Sequence, residues 1–371
     1  MIHPRSRHHF GVAGILALAF LPAVFAHAAD RGNQEDVTFR SGSATLAGTL
    51  VVPEGQGPHP AVVLISGSGP QDRNGSMRMF PGYAPFQLIA DHLQRQGVAV
   101  LRYDDRGVGD STGDYLDATE DDFVQDAAAA LAFLRQRGDI DAGKVGLLGH
   151  SEGALIAALV AARDDRVAFV VSLGGPAVEG IKLLLQQARR SAEAEGMSED
   201  EVAELLRDQE RLFKLVLHED WAEAERVVRE ITLKRIEKLP AWKKALLRDP
   251  RNIAAKKAAQ AMEVFRSQRY RYLLSHNAAE DWAKVKAPVL ALFAELDVQC
   301  DAAQNRAGLE EALRRGGNRK LTVHVLPCVN HLFLEAESGS MSEYATLPKE
   351  QLAPGVLKTI SDWIHETVAA D

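Results

Sequence analysis

A serine between two glycines, Gly149-His150-Ser151-Glu152-Gly153, has the G-x-S-x-G spacing of a nucleophile on a tight turn. In a chain of 371 residues with 29 glycines that spacing can arise by chance, so its flanks decide its meaning. "KVGLLGH" reads as a buried strand and "EGALIAALVAAR" as a helix. A strand-to-helix turn lifts the serine hydroxyl above the sheet edge. It also places it at a helix N-terminus, where unpaired N–H groups and the positive dipole end favour a developing oxyanion. The bland reading, a helix-capping serine in a glycine-rich turn, does not explain both flanks.

A serine hydroxyl is a weak nucleophile until a base takes its proton, and the base needs an acid to orient it. Both are sought in loops after later strands, in the order serine, acid, histidine. "PVLALFA" runs into Glu295-Leu296-Asp297, and "LTVHVLP" into Cys328-Val329-Asn330-His331. His331 is therefore the expected base and Asp297 the expected acid. Their rivals are Glu295 and Asp301 for the acid, and His150, His276 and His324 for the base. His150 belongs to the turn, His276 to the end of a helical stretch and His324 to a strand interior. The oxyanion donors are expected to be the backbone N–H groups of Ser68 and Glu152. Ser68 lies in "GSGPQDRNG", after the apolar run "AVVLIS", where glycines allow close backbone approach. That loop is not a dinucleotide site, because it lacks G-x-G-x-x-G and Pro70 interrupts it. Arg106, in "DDRGVGDSTG", is expected to tie its loop to neighbouring acids. No phosphate loop and no His/Cys set with metal-ligand spacing occurs in the sequence. No metal and no cofactor are expected.

The elements that must position these residues alternate strictly up to "VAFVVSLGG". Uniformly apolar strands are followed by helices, two of which close at a glycine: "PFQLIADHLQRQG" and "DFVQDAAAALAFLRQRG". This is the pattern of a mostly parallel sheet covered by helices on both faces. "DVTFRSGSATLAGTLVV" adds an antiparallel hairpin at one edge. From about Ala177 to His276 the strands stop, and three to five helices are expected, one opened by a Ser198/Glu201 capping box. Strands then return, with helices over 303–315 and 356–368.

The first residues stand apart. Arg5 and Arg7 precede an apolar run too short to span a bilayer comfortably, and Ala26-His27-Ala28 follows as a cleavage site. A signal peptide over residues 1–28 implies export to the periplasm or medium without a stable membrane anchor. Its removal takes the net charge from −8 to −10. An acidic chain is a poor nucleic-acid partner, since phosphate binding needs an excess of bases.

Five ordered segments, "GSGPQDRNG", "YDDRGVGDSTG", "GHSEG", "APVLALFAELDVQ" and "LPCVNHLF", together resemble the α/β-hydrolase superfamily. Within it the chain is similar to bacterial carboxylesterases of the serine aminopeptidase-like (S33-type) group. The resemblance implies an α/β-hydrolase core over residues 30–176 and 281–371, with a helical cap inserted at 177–280. It implies Ser151 as nucleophile, Asp297 as acid and His331 as base. The activity implied is hydrolysis of small carboxylic esters with short to medium acyl chains. The same triad could serve a peptidase or an acyl transferase, and a binding protein on an inactive scaffold is the reading from another class. The sequence departs from the family at Cys300 and Cys328, which fall on the loops carrying acid and base. In an oxidising compartment they are expected to form a disulfide bracing the triad.

Overall fold

The computed structural model describes residues 33–77 and 80–370. The expected signal peptide and its cleavage site lie outside the described residues. A hairpin, β1 (Asn33–Ser41) and β2 (Ala44–Val52), opens the fold. Strands and helices then alternate: β3 (His59–Ile65), α1 (Pro85–Arg95), β4 (Ala99–Tyr103), α2 (Glu120–Arg135), β5 (Ile140–His150), α3 (Glu152–Ala161) and β6 (Val170–Leu173). After a helical stretch the sheet resumes with β7 (Val289–Ala294), α11 (Ala302–Arg315), β8 (Leu321–Leu326) and α12 (Val356–Ala369). The eight strands form one sheet in the order β1-β2-β4-β3-β5-β6-β7-β8. β3 through β8 run parallel, and the hairpin joins β4 antiparallel at one edge, as the sequence predicts.

The central strands are almost uniformly apolar, buried Arg102 of β4 and Ser172 of β6 being exceptions, because both faces are covered. Ala61, Val63 and Ile65 of β3, with Val289, Ala291 and Phe293 of β7, pack on the face covered by α2, α3 and α11. Val62, Leu64, Leu290, Leu292 and Ala294 point the other way, against α1 and α12. Two-residue periodicity thus divides each strand between two cores. α3 is buried at every residue after Glu152, and accordingly its sequence is apolar all round.

Between β6 and β7 lie α4 (Gly180–Ala194), α5 (Glu199–Leu217), α6 (Trp221–Glu237), α7 (Ala241–Ala245), α8 (Pro250–Arg266), α9 (Gln268–Ser275) and α10 (Ala278–Trp282). The six up to Ser275 exceed the three to five expected. Pro240 and Pro250 break what reads as one charged amphipathic run, and Ser267 both ends α8 and caps α9. The capping box at α5 forms as read: Glu201 N–H donates to Ser198 Oγ, and Ser198 N–H to the Glu201 carboxylate. The two ends of the helical stretch lie side by side. Gly180 N–H donates to the His276 carbonyl at 2.9 Å, and buried Trp282 donates its indole N–H to the Pro176 carbonyl at 3.0 Å.

Candidate active site

The register aligns the ends of the last four strands. His150 pairs with Leu173, Leu173 with Leu292, and Ala294 with Leu326, so β5 to β8 finish at one sheet edge. Ser151 follows β5 directly. Asp297 and His331 sit in the loops after β7 and β8.

Ser151 occupies φ 55°, ψ −123°, outside the regions an L-residue ordinarily adopts. Strain of this kind is on the order of 1–3 kcal/mol and persists only where the surroundings enforce it. Here they do. A Cβ at Gly149 would lie 2.1 Å from the Gly153 carbonyl oxygen, and one at Gly153 would lie 2.2 Å from that of Ile65. Both glycines are therefore required by close backbone approach. Ser151 N–H is fixed to the Leu173 carbonyl at 2.8 Å. The side chain is partly exposed, in a cavity with about 90 Å³ open to the centre of a water-sized sphere. Ser68 and Glu152 line the same cavity. Glu152 is the first residue of α3, where a backbone N–H has no acceptor within the helix.

His331 and Asp297 form a buried pair, Nδ1 to Oδ2 at 2.7 Å. A carboxylate oxygen accepts, so Nδ1 carries the proton and Nε2 keeps its lone pair. The second oxygen, Asp297 Oδ1, accepts from the backbone N–H groups of Gln299 at 2.7 Å and Cys300 at 2.8 Å. The acid is thus held at both oxygens. His150, just before Ser151, points at the pair: its Nε2–H donates to the His331 carbonyl at 2.9 Å, and the two rings lie 4.8 Å apart. Burial, with His331 second, pushes the His150 imidazole down to about 4. Among the described residues no hydrogen bond yet joins Ser151 Oγ to His331, a link that is often long in unliganded sites.

The rivals are engaged elsewhere. Glu295 accepts the Cys328 N–H at 3.0 Å. Asp301 caps α11 through Gln304 N–H and pairs with Arg190 at 3.2 Å. His276 contacts Asp281 at 2.6 Å, and His324 lies exposed on β8.

The disulfide expected between Cys300 and Cys328 is not formed; both are free thiols. Cys300 turns inward toward Ser151, and burial pushes its thiol well up. Cys328 adopts φ 56° and is exposed. Side chains directed apart cannot bridge. The two loops are held instead by the Cys328 N–H on the Glu295 carboxylate at 3.0 Å and the Leu296 N–H on the Val329 carbonyl at 2.9 Å, while the Cys300 N–H on Asp297 ties the acid's own loop.

The glycine-rich loops are tied by charge. Asp105 accepts from Ser66 Oγ at 2.5 Å and Gln71 N–H at 2.9 Å, which holds the Ser68 loop, and burial pushes its carboxyl up to about 7. Arg106 does tie its loop to acids, but to Asp122 and Asp126 of α2, each at 2.7 Å. Arg73 serves the loop's own Asp104 and Asp110.

One part of the site is not legible in the sequence. Arg269 of α9 reaches the sheet edge and pairs with the Glu152 carboxylate at 2.7 Å. Its guanidinium sits 4.9 Å from the Tyr115 ring centre and 4.5 Å from that of Phe123. Buried Glu120 of α2 lies beside Glu152; burial first, then the Glu152 charge, raise its pKa. The Glu152 carboxylate therefore ties the elbow to α9. A lone arginine among the many bases of the helical stretch gives no sequence signal.

A family model described as "Alpha/beta hydrolase family" matches residues 62–341. Esterase EstD of Thermotoga maritima is 34% identical over 144 residues, which cover 39% of this chain and 32% of that protein. Polyketide transferase claH of Penicillium crustosum is 31% identical over 151 residues, covering 38% of this chain and 44% of that one. The chain thus spans less than half the length of these curated relatives. The solved proline iminopeptidase of Mycobacterium smegmatis superposes with a TM-score of 0.51 at 18% identity, covering 91% of this chain and 100% of that one, and so shares the fold. With the family model spanning three-quarters of the sequence over this sheet and elbow, the chain belongs to the alpha/beta hydrolase family.

Proposed function

We propose that the protein is a serine hydrolase that cleaves carboxylic esters through an acyl-enzyme on Ser151. The observation that carries this reading is the buried Asp297–His331 pair at the sheet edge where strained Ser151 opens into a cavity. His331 Nε2 takes the Ser151 proton as Oγ attacks the ester carbonyl carbon. The oxyanion is received by the N–H groups of Ser68 and Glu152. The intermediate collapses, the C–O bond to the alcohol breaks, and His331 returns the proton to the leaving oxygen. Water, deprotonated by His331, then releases the acid. Asp297 keeps the imidazole in the required tautomer and stabilises its charged form.

The cavity walls Leu155, Pro176, Val178, Leu183 and Leu184 suit an apolar acyl group, and the small volume favours short chains over long ones. The Thermotoga relative is named an esterase, which agrees with ester hydrolysis. A second reading, S33-type peptide hydrolysis by the same triad, is favoured by Glu120, whose carboxyl lines the cavity and could receive an amine. A panel of nitrophenyl esters of increasing acyl length beside aminoacyl anilides separates the two. Turnover of short esters with little anilide cleavage supports the esterase. Selective cleavage of the anilides would replace it with the peptidase.

A further inference from the structure

The base-rich turn between α6 and α8 has no role in the site described. From Lys234 to Lys257 nine lysines and arginines stand against two acids, a net +7 within a chain of −8. The pairs Lys234–Glu230 and Lys238–Glu204 serve α6. Beyond them, Lys243, Lys244, Arg248, Arg251, Lys256 and Lys257 are exposed and form no ion pair among the described residues. In their midst stand Trp242, 64% exposed, and Leu246, 73% exposed. They are four residues apart across α7 and its C-cap, which puts them on one side of the turn. Large apolar side chains left in water inside a basic rim mark an interaction surface.

We propose that this turn docks the protein reversibly on an anionic lipid surface. Trp242 and Leu246 enter the headgroup boundary, and the six bases meet the lipid charge. Two features select this partner over another polyanion. Bases alone would suit a nucleic acid, but an indole and a leucyl side chain presented together suit the boundary between headgroups and acyl chains. The charge is also segregated along the chain: with +7 between Lys234 and Lys257 the remainder carries −15, so this turn is the part that an anionic surface attracts. No helix among the described residues is long and apolar enough to cross a membrane.

The test is co-sedimentation of the full chain with vesicles of phosphatidylcholine containing phosphatidylglycerol, and with pure phosphatidylcholine vesicles. Binding is expected only to the former, reversed by high salt, with a blue shift in tryptophan emission that W242F removes. Both W242A/L246A and K243E/K244E should weaken partitioning by about tenfold or more. Their unchanged Tm in solution shows that the fold is intact. No binding to anionic vesicles, or equal binding by both double variants, would overturn the proposal. So would a lipid-independent change of oligomeric state in W242A/L246A, which would make a second copy the occupant.

Discussion

Ser151 holds an unfavourable backbone so that its hydroxyl stands clear of the sheet. Glycine tolerates that conformation, so Ser151→Gly should abolish turnover yet raise stability by about 1 kcal/mol, read as an increase in Tm that Ser151→Ala does not show. Asp297→Asn would set an amide against His331 Nδ1 and favour the wrong tautomer. A fall in kcat of about 10⁴ with an unchanged far-UV spectrum is expected. His150 gives a pH signature. Its folded pKa lies below the ordinary 6.5, so the unfolded chain binds the extra proton first. Stability from this group is complete above pH 6.5 and is lost as pH falls toward 4; urea titrations of wild type and His150→Gln should differ in that window. The placement of Ser151, Asp297 and His331 at the strand ends was legible because the proposed chemistry needs fixed residue types there. The contact of His150 with the His331 carbonyl was not, because a turn residue's side-chain direction depends on what the neighbouring loop offers it.

At the scale of elements, the sheet was readable because strands buried on both faces are short and almost uniformly apolar while most helices between them are amphipathic. The helical stretch was readable as helices but not in number, since Pro240, Pro250 and Ser267 cut a continuous charge pattern. The bonding of α9 to the elbow left no trace in sequence, because Arg269 finds Glu152 only through the packing of distant elements. Removing one partner of this largely desolvated pair leaves a charge unmatched. Glu152→Gln should therefore lower stability by about 2 kcal/mol in urea unfolding, while reducing kcat far less than His331→Ala. Equal losses of kcat would mean that the carboxylate takes part in the chemistry. Glu120 beside it has a raised folded pKa, so its contribution is present below its ordinary 4.5 and is lost as pH climbs above it. Glu120→Gln, which mimics the protonated acid, should then gain most in Tm at alkaline pH. Trp282 closes the two ends of the helical stretch onto the sheet, and Trp282→Ala should cost about 3–5 kcal/mol in equilibrium unfolding.

For the whole molecule, the arrangement is a mostly parallel sheet presenting three groups at one edge, with helices between β6 and β7 bonded to that edge through Arg269 and carrying an excess of bases around α7. The sequence reading located the sheet edge but misplaced the brace of the two loops. It assigned that brace to a disulfide, where the Cys328 N–H on Glu295 and the Leu296 N–H on the Val329 carbonyl hold the loops. A reducing agent should therefore leave Tm unchanged. The account's central claim is that Ser151 carries the acyl group. Intact-mass and peptide mapping after brief exposure to a fluorophosphonate, with nitrophenyl acetate turnover measured in parallel, tests it most directly. The account predicts a single adduct on Ser151, absent in Ser151→Ala together with turnover, and formed much more slowly in His331→Ala. An adduct on another residue, or hydrolysis that survives Ser151→Ala, would contradict it.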